Sequence, residues 1–212
     1  MVQIATGETN PLRRVPPHLV RRGFLSREEH AALLDWALAR EGDLVPSTLG
    51  GDGMVRTSGR NSMGVKRDLL KGVREALRER IMAQLPELLD GLGMAAFPVE
   101  SIALNLVVYN DGAFFRRHVD IATGGREAGR RVLTGVYYFF REPQGFSGGA
   151  LRLHPLSAPN RAEAPFVDIA PEQNSLAVFP SWTPHEVRPV SCPSGRYEDS
   201  RFAINCWVRR AG

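Results

Sequence analysis

The apolar positions of this chain change period near residue 91: before it they recur at helical spacing, and after it they fall into short runs broken by Gly and Pro. Leu33, Leu34, Trp36, Ala37 and Leu38 form an amphipathic stripe behind Ser26, an N-cap candidate with Glu28 and Glu29 in the first turn, and predict a support helix to about Arg40. Leu69, Leu70, Val73, Leu77, Ile81 and Leu85 predict a second helix over 67–90. Pro86 is expected to interrupt or end it, because proline lacks the N–H and its ring crowds the preceding turn. Between the two, residues 41–65 turn to Gly, Ser, Thr and Asp, with GGDG at 50–53 and TSGRNS at 57–62, and read as loops with at most a short strand. A closing lid over 42–65 and a plain surface excursion both fit such a segment. Residues 1–23, rich in Pro, Arg and small polar residues without a period, read as an extended arm.

Downstream, β-type runs stand at 99–109, 114–118, 132–140, 150–153, 166–169, 175–180, 185–190 and 201–208. Their connections are too short for crossover helices, which argues for an antiparallel double sheet or barrel. The predicted fold is mainly β with flanking α: a jelly-roll core, or double-stranded β-helix, over 99–212. Helical support and the lid region occupy 24–98, and 24–212 form one domain behind the arm.

The bulk numbers narrow the class. With 212 residues, of which 43% are hydrophobic and 24% charged, the chain suits one globular domain with a sizeable core. The net charge of +4 comes from arginines spread along the chain, and no zinc-finger spacing or RNP-like aromatic stretch accompanies it. No nucleic-acid partner is therefore expected. Cys192 and Cys206 form no C-x-x-C pair and read as reduced thiols. No apolar run reaches membrane-span length, and the first residues show no signal-peptide h-region, so a cytoplasmic protein without a membrane partner is expected. Oligomeric state is left open.

Within the β half lies His118-Val119-Asp120, and His185 follows in TPHEVRPV. Residues i and i+2 of an extended segment point the same way, so an H-x-D clip can aim an imidazole and a carboxylate at one point. One histidine from another strand completes a two-histidine, one-carboxylate set, which leaves three positions of an octahedral ferrous ion open. The same residues could hold tetrahedral zinc, although the H-E-x-x-H helix of zinc hydrolases is missing. His18 falls in the arm and His30 on the first helix, and neither is a good ligand candidate; His154, between a strand and Pro155, is expected as a strand-end surface residue.

LNLVVYNDGAFFRRHVD, RVLTGVYYFF, SGGALRLHP, LAVFPSWTPHEVRPV and RFAINCWV follow one another between Ala103 and Arg209. In these segments and their order the chain resembles the prolyl 4-hydroxylase and hypoxia-factor prolyl-hydroxylase branch of the 2-oxoglutarate/Fe(II) dioxygenases. The resemblance implies Fe(II) held by His118, Asp120 and His185, with 2-oxoglutarate as co-substrate, O2 as oxidant and ascorbate as a reductant. It assigns the co-substrate carboxylate to Arg201, which stands in an R-x-x-x-x-x-W frame ending at Trp207, and places Tyr109 and Tyr138 in the same pocket. Arg196 is the rival anchor, but it sits among Gly, Tyr, Glu and Asp, whereas Arg201 opens an apolar strand. A guanidinium suits the task because two parallel N–H groups match two carboxylate oxygens. Asn105, Val107 and Tyr109 share one strand face, and Thr134, Val136 and Tyr138 share another. Ala203 departs from the family, which often has a small hydroxyl residue there.

The implied activity is hydroxylation of an unactivated C–H bond, with a prolyl or similar residue of a peptide or protein as the substrate expected from this branch. Arg60, Arg131 and Trp182 are the substrate-contact candidates. The alternatives are a hydroxylase of a free amino acid or another small metabolite and, from other classes, a non-catalytic jelly-roll binding module or a zinc hydrolase.

Overall fold

The computed structural model describes residues 10–47, 58–65, 74–121, 129–157 and 164–211. The expectations for residues 1–9 of the arm, for 48–57 of the lid candidate, Thr57 and the GGDG segment included, and for 67–73 of the second helix lie outside them.

Two α-helices lie among the described residues, α1 (Arg27–Leu38) and α2 (Arg74–Gly91). Ser26 caps α1 in a full capping box, its hydroxyl accepting from Glu29 N while the Glu29 carboxylate accepts from Ser26 N. α2 does not stop at Pro86 but continues to Gly91. Pro86 and Met82 lie on the exposed face, where water can satisfy the carbonyl that the missing N–H leaves free, while Leu85, Leu88 and Leu89 pack inward.

A seven-stranded sheet has the order β1-β11-β7-β14-β5-β4-β2, built from β1 (Leu19–Arg22), β2 (Leu44–Pro46), β4 (Met63–Val65), β5 (Val99–Tyr109), β7 (Arg131–Phe139), β11 (Ser175–Pro180) and β14 (Arg201–Arg210). Facing it is a five-stranded sheet, β10-β9-β12-β6-β3, made of β3 (Arg60–Asn61), β6 (Phe114–His118), β9 (Leu151–Leu153), β10 (Val167–Ile169) and β12 (His185–Val187). A small ribbon pairs β8 (Ser147–Gly148) with β13 (Val190–Ser191). Every pairing among the described residues is antiparallel, as in the expected jelly roll.

Both faces of the larger sheet are covered, so β11, most of β7 and β14 and the second half of β5 are buried instead of alternating with water. Leu104, Leu106 and Val108 of β5, Tyr137 and Phe139 of β7, and Phe202 and Ile204 of β14 pack on the helices, against Leu33, Ala37, Leu77, Ile81 and Leu88. The residues between them point to the other side: Val107 and Tyr109 join one inner cluster, and Val136, Tyr138, Ala177, Phe179 and Ala203 meet Leu151 and Leu153 of the smaller sheet in a second. Each fully buried large apolar side chain contributes about 1.5–3 kcal/mol.

Leu19–Arg22, expected in the arm, pairs with β11 as an edge strand, because Leu19 and Val20 find apolar neighbours there. The segment 41–65 holds three short strands among its described residues, more than the loops expected of it. The run 185–190 divides at Pro189, which cannot donate to a ladder, and the chain passes from β12 to β13. Among the described residues no helix is long and apolar enough to cross a membrane. Both cysteines are buried free thiols.

Candidate active site

The H-x-D clip leaves the end of β6, and β12 pairs with that strand so that His185 stands opposite His118. One ligand atom from each of His118, Asp120 and His185 falls within 4.8 Å of the others. His118 Nε2 lies 3.8 Å from Asp120 Oδ1, and His185 Nε2 lies 3.6 Å from Asp120 Oδ2. Each imidazole donates through Nδ1 to a carbonyl, His118 to Arg116 O and His185 to Thr183 O, both at 2.8 Å. A carbonyl only accepts, so the Nδ1 atoms carry the protons and both Nε2 lone pairs face the carboxylate.

Electrostatics agree with an ionised Asp120 carboxylate beside a neutral His118. Burial, and then the nearby His185, push the His118 pKa down to about 3. Burial works against ionisation of Asp120, but His185 and His118 outweigh it and hold the carboxyl below its usual range. The Phe115 ring stacks on His118 with centroids 3.6 Å apart, and Phe179 meets His185 edge-on at 4.8 Å.

Further along the inner face of β14 is Arg201, with 0% of its surface exposed and no hydrogen-bond partner for Nε, Nη1 or Nη2 among the described residues. Its guanidinium carbon lies 4.8 Å from the Tyr109 ring centroid and 4.9 Å from that of Tyr138. The Tyr138 hydroxyl is also buried, beside the Arg201 guanidinium but without a hydrogen bond of normal geometry among the described residues, and burial raises its pKa to about 12, so it stays a proton donor. A buried charge without a counterion is costly, and a carboxylate ligand would relieve that cost. Arg196 instead reaches the Asp199 carboxylate from Nη2 at 2.8 Å and is exposed, so the rival anchor is committed elsewhere. Ala203 is fully buried between Val107 and Tyr138 and offers no hydroxyl, which leaves the tyrosines as the nearby side-chain donors.

The three substrate-contact candidates surround the same place. Arg60 lies 4.6 Å above the Phe115 ring, one ring removed from His118. Arg131 donates to Asp120 O at 3.2 Å and covers the Trp207 ring at 4.5 Å. Trp182, 38% exposed, sits on the turn whose Ser181 carbonyl accepts from Asp120 N, near the exposed Val119. His154 is not the surface residue expected from its position, being half-buried with Nε2 3.5 Å from Glu186.

Four further residues escaped the sequence reading: Phe115, Ser181, Thr183 and Gly149. Only Gly149 carries a signal, the double glycine before β9, since a glycine there marks close approach of another group. A Cβ at Gly149 would lie 2.6 Å from Arg201 Cδ.

Comparison with known proteins bears on this geometry. An uncharacterized PKHD-type hydroxylase of Synechocystis sp. is 35% identical over 192 residues, which cover 89% of this chain and 62% of that protein, so the chain spans less than two thirds of its curated relative. The crystal structure of a Pseudomonas putida prolyl-4-hydroxylase superposes with a TM-score of 0.64 at 26% identity, over 93% of this chain and 94% of that one. A Trichoplax adhaerens prolyl hydroxylase, solved with a hypoxia inducible factor oxygen degradation domain peptide fragment, gives 0.65 at 21% identity over 91% and 83%, a likeness of fold. The family model described as the 2OG-Fe(II) oxygenase superfamily matches residues 104–209, half of the chain and the half that carries the histidine-carboxylate trio and Arg201, and the chain belongs to that superfamily.

Proposed function

We propose that this protein is an Fe(II)- and 2-oxoglutarate-dependent dioxygenase that hydroxylates an unactivated C–H bond, with a prolyl or similar residue of a peptide or protein as substrate. The observation that carries the reading is the pairing of two half-sites: a trio of two imidazoles and one carboxylate, and a fully buried guanidinium without a partner. His118, Asp120 and His185 are assigned to the metal, Arg201 to the distal carboxylate of the co-substrate, and Tyr109 and Tyr138 to the walls around it.

The donor set fits ferrous iron, since two imidazole Nε2 atoms and one carboxylate leave three positions free. Once bound, iron and 2-oxoglutarate supply the oxidising power that side chains lack. The chain's own residues then do four things. The imidazoles present Nε2 because their Nδ1 protons are occupied. Arg201 neutralises and orients the incoming dicarboxylate, Tyr138 adds a proton donor, and the apolar inner clusters keep water from the pocket.

Support for a peptide substrate comes from the likeness to the Pseudomonas putida enzyme and from the exposed apolar Val119 and Trp182 beside the trio. Arg60, Arg131 and Trp182 are the proposed substrate contacts. The sheets and both helices act as one oxygenase domain. Two buried free thiols suit a reducing, cytoplasmic setting, which would also keep iron ferrous.

The test is an anaerobic titration with Fe(II) followed by 2-oxoglutarate, which should produce the weak visible charge-transfer band of this family. Succinate release should then be stimulated by prolyl peptides under air. Release coupled only to free amino acids or small metabolites would overturn the peptide assignment, and activity with Zn(II) that needs no 2-oxoglutarate would overturn the class.

A further inference from the structure

Behind the Asp120 carboxylate stands a short column of buried hydroxyls that packing does not require. Thr134 is 1% exposed and Ser181 0%. Thr134 Oγ1 lies 2.9 Å from Asp120 Oδ2 and 2.9 Å from Ser181 Oγ. An ionised carboxylate only accepts, so Thr134 donates its single proton to Oδ2 and its oxygen receives the proton of Ser181. Two hydrogen bonds in series polarise and strengthen each other in a dry interior.

The surroundings make this arrangement specific. Thr134 sits in the middle of β7, paired in register with Phe179 on one side and Trp207 on the other, so its hydroxyl has little freedom to turn elsewhere. Valine has nearly the same shape and suits a central strand equally well, so strand formation and packing alone give no reason for a hydroxyl here. Ser181 holds the same aspartate by a second route, its carbonyl accepting from Asp120 N at 3.0 Å while its own N–H donates to Val132 O at 3.0 Å.

We propose that Thr134 is a positioning residue that keeps Asp120 a one-oxygen ligand: its hydroxyl, backed by Ser181, engages Oδ2 and fixes the tilt of the carboxylate, so that the two oxygens do not chelate the ion together. This rests on the metal reading above. A carboxylate that chelated through both oxygens would fill one of the three positions a facial set leaves open. Two would remain where 2-oxoglutarate, binding through two atoms, and dioxygen together need three.

The experiment compares Thr134→Val, Thr134→Ser and Ser181→Ala with the unaltered protein. Each is titrated anaerobically with Co(II), and affinity and the visible absorption spectrum are read alongside the melting temperature. Thr134→Val should bind Co(II) about 10- to 100-fold more weakly, the usual loss when an outer hydrogen-bond partner of a ligand is removed, with an altered spectrum. Thr134→Ser, which restores the hydroxyl, should stay within about threefold with the original spectrum, and Ser181→Ala should fall between. Should the valine variant fail to fold, the ordering of the Ser181→Ala and Thr134→Ser proteins carries the comparison. An unchanged affinity and spectrum in Thr134→Val, or an equal loss in Thr134→Ser, would overturn the proposal. An unaltered protein that takes up no Co(II) would overturn the metal reading itself, a distinguishable failure.

Discussion

Replacing Gly149 by alanine should damage the protein in two separable ways. Its φ is +67°, and an added Cβ would meet Arg201 Cδ at 2.6 Å, Val190 Cγ2 at 2.8 Å and Arg201 Nε at 3.0 Å. A left-handed backbone costs an alanine about 1–2 kcal/mol. Forcing a methyl group into a filled site adds about 1–3 kcal/mol. The sum is a loss of about 2–5 kcal/mol, and in a domain of this size each kcal/mol lowers Tm by roughly 2–4 °C. The clash also has to move Arg201 in the middle of its side chain. Its Cα is held because Arg201 pairs with Tyr109 of β5 and the next residue, Phe202, is paired on both sides, and its guanidinium lies against Tyr109 and Tyr138. One charge-assisted hydrogen bond to the co-substrate is worth about 1.5–3 kcal/mol, so misplacing the guanidinium should weaken 2-oxoglutarate binding about 10- to 100-fold. Mn(II) affinity should not change, because the trio lies on other strands. Calorimetric titration of Mn(II)-loaded protein with 2-oxoglutarate, well below Tm, measures the first quantity, and a Mn(II) titration of metal-free protein measures the second. Unchanged 2-oxoglutarate affinity together with a lowered Tm would show that the Arg201 guanidinium is not the anchor.

Arg201→Met removes a buried charge that has no partner, so the unliganded variant should melt no lower than the parent while calorimetry detects no 2-oxoglutarate binding. Arg196→Met should bind 2-oxoglutarate normally, since that side chain is tied to Asp199. Tyr137→Phe deletes the hydroxyl that meets His30 Nδ1 at 2.7 Å and Asn174 Oδ1 at 2.9 Å; at about 0.5–1.5 kcal/mol per bond, urea unfolding should register a loss of about 1–3 kcal/mol. Ser194, then Arg196 and Arg141, donate to Asp199 and hold its pKa at about 2, below the ordinary 3.8. A depressed carboxyl stabilises the fold fully above its unfolded value and loses that contribution as pH falls through the folded one. The Tm difference between the parent and Asp199→Asn should therefore narrow from about pH 4 to about pH 2; a constant difference would contradict the assigned cause.

Local chemistry explains what could be read in advance. Strand limits at Val99–Tyr109, Phe114–His118 and Ser175–Pro180 coincide with their sequence runs, because Gly, Pro and Asn or Asp bound each run and β-rich residues fill it. The Ser26 cap and the Leu33 and Ala37 stripe of α1 were legible for the same reason. Pro86 misled because the cost of proline depends on which face of the helix it occupies, and that face is set by what the helix packs on. β1 was missed because an edge strand takes its hydrogen bonds from a partner more than 150 residues away, and four residues of LVRR carry no period of their own.

For the site, residue type and an i, i+2 spacing named His118 and Asp120, and the order of motifs drew in His185 and Arg201. The H-x-D clip depends on side-chain chemistry and strand periodicity, which the amino-acid sequence determines by itself, whereas Arg201 was named through the resemblance to the family. Only the tertiary structure decided that His185 lies opposite His118, that Arg201 and not Arg196 is buried without a partner, and that Thr134 and Ser181 stand behind the carboxylate. Register, burial and hydrogen-bond direction are relations between strands far apart in the chain, and they take values only when the sheets close on each other.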